Sequence, residues 1–489
     1  MKNSNSKKNF FHYDNPLWAF VIMLPFLLVF SWSTSPLYLS YGIDSPFFQI
    51  IGLGITQGKV PYVDLFDHKG PLIFFIDALG YSTGWGKTAI FFMQWISDSI
   101  AFIIFYRIAR LMCSTPRRAF VACLLTLIPF ADFIIEGNQC EEWMLPYIGL
   151  ALLLVLKPVL QGREGEFQAW KSLVVGLCFA VVFYIRPNDG VMWIGGLYFG
   201  LFLLWIVRGN ARAILPNVGA FILAFILVTA PIFAYFSSKD ALDAWFYGMV
   251  IHNMKYASDV PFTAGGIGMI IIPLILVGAM LLLSRRSGRK QLWYLLLPVL
   301  VLVEIFIGKR DYYHYLIPFI PYVAMSFAMC LEKGWKLFLW VVCSLFAVFS
   351  YRQCTFIVKS VQIKGELREL YSQTDALFDL VPEEERNTIW NYNLTTYIDD
   401  GPLPHMYSLM GAFLHKGITP SSPVFAAFDL QFVDESYYVQ AHEPRWLVMQ
   451  PDDWYDRDFD YIYENYDLVA STPAEPVCEV RLYKRKEGR

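Results

Sequence analysis

Long apolar stretches constrain this chain more than any other feature of its sequence. The 489 residues are 56% hydrophobic and only 17% charged, whereas soluble domains carry about a quarter charged residues. An α-helix needs about 20 predominantly apolar residues to cross a membrane. The sequence predicts a polytopic α-helical membrane protein with about eleven spans, at residues 16–34, 88–106, 118–135, 143–160, 172–186, 190–207, 216–236, 265–284, 292–308, 314–331 and 337–350.

The distribution of Lys and Arg predicts the orientation of these spans. With the N-terminus in the cytoplasm, 18 basic residues fall in cytoplasmic segments and 8 in the outer loops before residue 351, in agreement with the positive-inside rule. An odd number of spans then places the C-terminal part outside the cell. Most acidic loop residues also fall at the outer face in this orientation, so we expect any chemistry to take place there.

The charge of the chain changes at about residue 351, and we predict a domain boundary there. Residues 1–350 carry 26 basic and 19 acidic residues, whereas residues 351–489 carry 13 and 23. We expect a membrane domain at 1–350, with a long first outer loop at 35–87, and an extracytoplasmic soluble α/β domain at 351–489. Within the second domain, residues 365–381 have helical spacing, and strand-like runs lie at 386–393, 445–450, 460–472 and 478–486.

The first outer loop contains a charged cluster between prolines, in the stretch VPYVDLFDHKGPL at 60–72. Two apolar stretches in this loop are too short or too interrupted to span the membrane: the one that follows Asp44, from Phe47 to Leu53, and residues 71–85. They predict two helices lying along the membrane surface. The loop would then hold acids beside a lysine at the level of the lipid headgroups. An Asp–Lys surface pair in a turn explains the same residues equally well.

Other outer segments add carboxylates and cations to the same face: Glu136, Glu141 and Glu142 in 134–147, Arg186 in 184–190, and Lys309, Arg310, Asp311 and His314 in 307–322. Each segment alone is more simply a solvated loop. Together they offer cations for a lipid phosphate and carboxylates to activate a hydroxyl. Asp98 lies inside a predicted span, where we expect it to make interhelical hydrogen bonds.

Three stretches carry a resemblance to a known family. The pattern G-x-V-P-Y-x-D-x-x-D-H-K-G-P-L at 58–72, R-P-N at 186–188 and R-D-Y-Y-H-Y-L-I-P-F-I-P at 310–321 resemble the GT-C superfamily of integral-membrane glycosyltransferases. The closest likeness is to the bacterial branch related to dolichyl-phosphate-mannose protein mannosyltransferases and lipid A aminoarabinose transferases. The chain departs from the mannosyltransferase pattern in having Asp44-Ser45 where an adjacent Asp-Glu pair is usual.

The resemblance implies an inverting transfer of a sugar from a polyprenyl monophosphate to a hydroxyl of a glycan, lipid or protein, at the outer face of a bacterial plasma membrane. It makes Asp44 the expected general base, with Asp67 and Glu141 orienting the acceptor or binding a divalent metal such as Mg²⁺ or Mn²⁺. The residues expected to bind the donor phosphate are Lys69, Arg186, Arg310 and His314. The residues expected to contact the acceptor or position the loop are Tyr62, Asp64, His68 and Glu142.

Two other classes of function remain open on the sequence alone. A transporter or lipid flippase of a cell-envelope glycan pathway would explain the many spans, although it predicts charges at mid-membrane and paired repeats. A non-catalytic scaffold with an outer sensing domain is the other. Within the enzyme class, a diphosphate-linked donor is also open. We expect membrane lipid as a partner and no nucleic acid, and the sequence has no glycine-rich loop for a nucleotide-sugar donor.

Overall fold

The computed structural model describes residues 13, 15–134, 136–258, 264–286, 288–307, 312–362, 364–392, 409–423, 439–450, 459–473 and 479–487. A helix lies at the position of every predicted span. In chain order these helices are Leu17–Phe30, Lys87–Met112, Pro116–Leu125 followed by Leu127–Phe133, Cys140–Trp143 followed by Leu145–Leu160, Ala169–Ile185, Pro187–Asp189 continuing to Gly196–Val207, Ala211–Ser237, Ala264–Arg286, Leu292–Ile307, Tyr313–Phe319 continuing to Ile320–Lys333, and Lys336–Gln362.

Five of the described helices are long and apolar enough to cross a membrane: Lys87–Met112, Cys140–Leu160, Pro187–Val207, Ala211–Ser237 and Tyr313–Lys333. The helix Tyr313–Lys333 is buried on nearly all sides, whereas Ala211–Ser237 exposes Ile222, Leu223 and other apolar side chains. Apolar side chains on the outside of a helix bundle indicate that lipid is the surrounding solvent. The multi-pass prediction agrees with these helices, and the count of eleven spans stays a prediction.

Two predicted spans differ from the structure in their local course. The helix predicted at 118–135 is broken at Thr126, because Pro129 has no N–H to donate to the carbonyl of Leu125 four residues earlier. The helix Lys336–Gln362 continues past residue 350, so the change from apolar to charged sequence occurs part-way along a helix. The division into domains at this residue stays a prediction.

The first outer loop folds into the two short helices that the sequence predicts, Ser45–Thr56 and Pro71–Ser82. They pack tightly against each other, since a Cβ on Gly52 would lie 2.6 Å from the Cβ of Asp77. Residues 57–70 connect them and carry the charged cluster. Further short helices lie between the long ones: Glu164–Glu166, Gly190–Gly195, Leu242–Phe246, Tyr247–His252 and Asn253–Ser258.

The C-terminal part begins with helix Lys364–Asp379, as predicted at 365–381. This helix and Leu409–Lys416 share one continuous hydrophobic core with the membrane helices. One contact between the two parts is the edge-to-face pair of Tyr41 and Tyr371, with ring centroids 6.2 Å apart. The C-terminal part is therefore packed against the first outer loop. Its other helical segments are Glu383–Thr388, Val439–His442 and Phe459–Asn465.

A four-stranded sheet completes the described C-terminal part. Its strands are β1 Ile389–Asn391, β2 Trp446–Met449, β3 Tyr466–Ser471 and β4 Arg481–Arg485, in the spatial order β1-β2-β4-β3. β1 and β2 are parallel, and the other neighbours are antiparallel. The run predicted at 460–472 is a strand only in its second half. Its first half is helical because Phe459, Ile462 and Tyr463 have helical spacing, with Ile462 buried under the sheet.

Candidate active site

The turn between the two short helices holds the charged cluster in a defined conformation. Tyr62 adopts φ 68°, and its hydroxyl donates to the Lys69 carbonyl at 2.6 Å. The Asp64 carboxylate accepts the Val60 N–H at 2.6 Å and is exposed. Tyr62 therefore contacts the lysine segment directly, whereas Asp64 lies in its own turn, where its charge acts on Lys59.

Asp67, His68 and Lys69 form one contact group at the end of this turn. The Asp67 carboxylate accepts the Lys69 backbone N–H at 2.8 Å and lies 3.7 Å from Lys69 Nζ, which is 2.9 Å from His68 Nε2. Burial lowers the pKa of Lys69, but the negative charges of Asp67 and Asp44 outweigh burial and raise that pKa. Lys69 is therefore a permanently charged ammonium in a largely buried position.

Gly70 fixes this group against the end of helix Ala169–Ile185. The Gly70 N–H donates to the Ile185 carbonyl at 2.9 Å, and a Cβ on Gly70 would lie 2.5 Å from the Tyr184 carbonyl carbon. The next residue after that helix is Arg186. The close approach of two backbones, which only glycine permits here, brings Lys69 and Arg186 into the same site.

Arg186 is surrounded by groups from its own segment and from two other parts of the sequence. Its guanidinium forms an ion pair with Glu141, lies 3.3 Å from Asp189, and stacks on Tyr315 with 3.8 Å from Cζ to the ring centroid. His314 Nε2 lies 3.9 Å from the same Glu141 carboxylate. The structure thus brings Arg186, Glu141 and His314 together. Sequence reasoning did not single out Tyr315 or Asp189, although both lie within or beside the quoted motifs.

Asp44 lies at the N-terminus of helix Ser45–Thr56 and is partly exposed. Its charge acts on both Lys69 and His314, which places it at the same cluster. The backbone around Asp44 is held by the buried carboxylate of Glu136, which accepts N–H groups from Ile43, from Asp44 at 2.8 Å and from Ser45 at 2.9 Å. Sequence reasoning grouped Glu136 with the outer acids but gave it no partner, because its partners lie some ninety residues away in the chain.

Glu142 points away from the cluster, although it adjoins Glu141. Its carboxylate accepts from Gln94 Nε2 at 3.0 Å and faces Asp98 within helix Lys87–Met112. Neither carboxylate oxygen of Asp98 has a hydrogen-bond partner among the described residues, so the interhelical hydrogen bond predicted for Asp98 stays a prediction. Glu142 ties the second outer loop to the membrane helices, and the structure does not bring it to the charged cluster.

The structure leaves one predicted phosphate-binding residue and the predicted metal ion untested. Arg310, with Lys309 and Asp311, lies outside the described residues. Within the described ranges, no group of three or more His, Cys, Asp or Glu side chains lies close enough together to hold a metal ion.

The geometry defines a mixed cluster that we call the outer cluster: Asp44, Asp67, Lys69, Glu141, Arg186 and His314. It contains fixed cations beside carboxylates, at the ends of apolar helices. Cations in a buried position can bind a phosphate through charge-assisted hydrogen bonds, and a nearby carboxylate can accept a proton from a hydroxyl. The cluster is therefore suited to group transfer from a phosphate-linked lipid.

Comparison with known proteins agrees with this description. Residues 68–251 match the family model described as dolichyl-phosphate-mannose-protein mannosyltransferase. This range begins at His68 and includes Lys69, Glu141 and Arg186. None of the curated protein sequences matches the chain.

Among solved structures, ArnT from Cupriavidus metallidurans bound to undecaprenyl phosphate matches with a TM-score of 0.61 at 12% identity, over 96% of this chain and 97% of that one. The oligosaccharyltransferase of Archaeoglobus fulgidus in the apo form matches with a TM-score of 0.45 at 13% identity, over 91% and 70%. The same organism's AglB, in complex with an inhibitory peptide and a dolichol-phosphate, matches with 0.44 at 14% identity, over 89% and 69%. The first of these likenesses extends over nearly the whole of both chains and shows a shared fold.

Proposed function

We propose that this chain transfers a sugar from a polyprenyl monophosphate to an acceptor hydroxyl at the outer membrane face. The match of residues 68–251 to the family model of the protein mannosyltransferases and the fold shared with ArnT support this proposal. The acceptor is a glycan, a lipid or a protein. The observation that carries the proposal is the outer cluster, in which Lys69, Arg186 and His314 lie among carboxylates. The likeness to a protein bound to undecaprenyl phosphate favours a monophosphate donor.

The reaction follows from the charges in the cluster. The acceptor hydroxyl attacks the anomeric carbon, the bond from that carbon to the phosphate oxygen breaks, and the hydroxyl proton passes to Asp44 as general base. The configuration at the anomeric carbon is inverted in this single displacement. The leaving phosphate gains negative charge, and a preorganised cation stabilises that charge more in the transition state than in the bound donor. We assign this role first to Lys69.

Asp67 and Glu141 act mainly by placing the side chains that bind the phosphate. Asp67 holds both the backbone and the ammonium of Lys69, and Glu141 holds Arg186 and His314. Arg186 already faces two carboxylates, Glu141 and Asp189. The charge of Lys69 is therefore less neutralised by neighbouring carboxylates than the charge of Arg186. We expect Lys69 to neutralise the phosphate and Arg186 to orient it.

The test is sugar transfer from a panel of radiolabelled polyprenyl-phosphate sugars in membranes, with wild type and Asp44→Asn. The matched control is Asp243→Asn, which removes an exposed carboxylate at the start of helix Leu242–Phe246. We expect transfer by wild type and by the control, and a loss of at least a hundredfold in Asp44→Asn at equal protein level.

Unchanged transfer by Asp44→Asn would remove Asp44 as the base. If wild type transfers no sugar from any donor in the panel, the proposed reaction is wrong. Movement of labelled lipid across vesicle membranes containing wild type would then favour a transporter or flippase.

A further inference from the structure

We propose that Glu136 is a positioning residue that holds Asp44 in place. The inference rests on the proposed function for its kinetic consequence, but its structural part stands alone. The Glu136 side chain is buried, with 1% of the residue exposed. Its carboxylate receives three consecutive backbone N–H groups, those of Ile43, Asp44 and Ser45. Among the described residues, Glu136 is the side chain that accepts the backbone N–H groups on either side of Asp44.

The three N–H groups belong to the start of helix Ser45–Thr56, where backbone donors have no partner inside the helix. A carboxyl group that accepts them takes the place of a side-chain cap. The helix has no capping hydrogen bond from its own preceding residue, Asp44. The Asp44 side chain thus stays free of the capping role that an aspartate at this position would usually take.

The surroundings of Glu136 are shaped for this contact. Gly42 adopts φ 94°, and a Cβ there would lie 2.6 Å from Glu136 Oε2. Asn138, two residues after Glu136, donates to Ser45 Oγ at 3.0 Å and to Asp77 Oδ2 at 3.1 Å. Residues 136–138 therefore hold the start of one short helix and the middle of the other, and Asp44 lies at their junction.

The experiment compares Glu136→Gln with wild type in kcat, donor KM and hydrogen exchange. Glutamine keeps the size of the side chain and one acceptor oxygen, but it replaces the other oxygen by an NH₂ group, which cannot accept the N–H group that it faces. We expect kcat to fall at least tenfold with donor KM within threefold, because the base is misplaced while the donor phosphate site is intact. We also expect faster backbone exchange in the peptide containing residues 43–48. The control Glu164→Gln makes the same change at another buried carboxyl, which lies 3.7 Å from Arg208, and should keep the wild-type kcat.

The outcomes separate this inference from the proposed function. Wild-type kcat in Glu136→Gln, or a loss confined to donor KM, overturns the positioning role while leaving sugar transfer intact. Failure of wild type to transfer any sugar rejects the proposed function, and the exchange measurement then decides the structural part. Unchanged exchange at residues 43–48 in Glu136→Gln contradicts it.

A different set of contacts carries a second inference: we infer that the C-terminal segment 417–423 is a fixed support for the first outer loop. Gln57 Nε2 donates to the Gly417 carbonyl at 3.2 Å, and Thr419 Oγ1 donates to Gln57 Oε1 at 2.8 Å. Lys59 Nζ donates to the Pro420 carbonyl at 2.5 Å.

The support reaches the residue next to the outer cluster. The Phe66 N–H donates to the Pro423 carbonyl at 2.6 Å, and Asp67 follows directly in the chain. The contacts occur at both ends of the turn 57–66, so the C-terminal part holds the turn that presents Lys69. A support that stays closed during turnover differs from a lid, which must leave to admit substrate.

A reversible cross-link distinguishes a support from a lid. Gln57→Cys and Thr419→Cys are combined and joined with a short thiosulfonate reagent that reducing agents remove. We expect efficient cross-linking, and transfer by the cross-linked protein within twofold of the same protein after reduction. Each single cysteine variant, treated with the reagent, is the control. Loss of transfer on cross-linking with recovery on reduction would show a lid, and absence of cross-linking would show that the contact does not form in the membrane.

Discussion

The substitution Gly70→Ala tests whether the close backbone contact beside Arg186 sets the geometry of the outer cluster. Gly70 has φ −69° and ψ 157°, a conformation that any residue adopts, so space alone forbids a side chain. An alanine Cβ would overlap the Tyr184 carbonyl oxygen and lie 2.5 Å from its carbon. Ordinary contact begins at 3.4 Å, so the two segments must separate by about 1 Å.

Two costs follow from that separation. The hydrogen bond from the Gly70 N–H to the Ile185 carbonyl is stretched, which removes about 1 kcal/mol of stability. More importantly, Lys69 moves relative to Arg186, and a 1 Å misplacement of catalytic groups lowers the rate by about a hundredfold. We therefore expect a small decrease in thermal stability and a large decrease in kcat.

The assay is sugar transfer with purified protein in vesicles, together with thermal unfolding followed by intrinsic fluorescence. The control is Gly219→Ala in helix Ala211–Ser237, where an added Cβ meets no atom within 4 Å. We expect this control to match wild type in both measurements. Wild-type kcat in Gly70→Ala would mean that the two segments need not be in contact during catalysis.

Three further predictions follow from other contacts. Arg186→Lys should lower transfer tenfold or more without unfolding, because an ammonium cannot pair with Glu141 and Asp189 while stacking on a ring; kcat of folded protein measures this. Burial lowers the pKa of Lys59 to about 8, against the opposing charge of Asp64. Between about pH 8 and 10.5 the unfolded chain therefore binds this proton and the folded chain does not, so the free energy of unfolding rises with pH. The Tm of wild type minus the Tm of Lys59→Gln should increase across this range. Finally, the expectation of Mg²⁺ or Mn²⁺ is tested by EDTA, which should lower transfer if one takes part, with recovery on adding the ion back.

Local patterns predicted much of the fold. Helix positions followed from apolar stretches of about 20 residues, because only a helix satisfies its backbone in lipid. The two short helices of the first outer loop followed from apolar runs too short to span. What the pattern did not show was where helices break or continue, as at Thr126 and past residue 350, because those depend on a single proline or on packing of the C-terminal part.

The sequence predicted which residues belong to the candidate site better than it predicted which of them contact each other. Asp67 and Lys69 are neighbours in the chain, so their contact follows from sequence. The pairing of Glu141 with Arg186 joins two outer segments, and nothing in either segment specifies the other. The divergent directions of Glu141 and Glu142 reflect the helical turn on which both lie, Cys140–Trp143. No sequence pattern predicts the hydrogen bonds from the N–H groups of residues 43–45 to Glu136, because backbone donors are present in every segment and nothing in the sequence identifies the ones that meet this side chain.

In the proposed reaction, the outer cluster holds the phosphate of a polyprenyl carrier. The direct measurement is binding of undecaprenyl phosphate, without sugar, to purified wild type, Lys69→Gln and Lys239→Gln by native mass spectrometry. Lys239 is an exposed lysine after helix Ala211–Ser237 and controls for general loss of charge. A charge-assisted hydrogen bond contributes about 1.5–3 kcal/mol, so we expect Lys69→Gln to bind at least tenfold more weakly and Lys239→Gln to bind like wild type. Equal binding by all three would contradict the account.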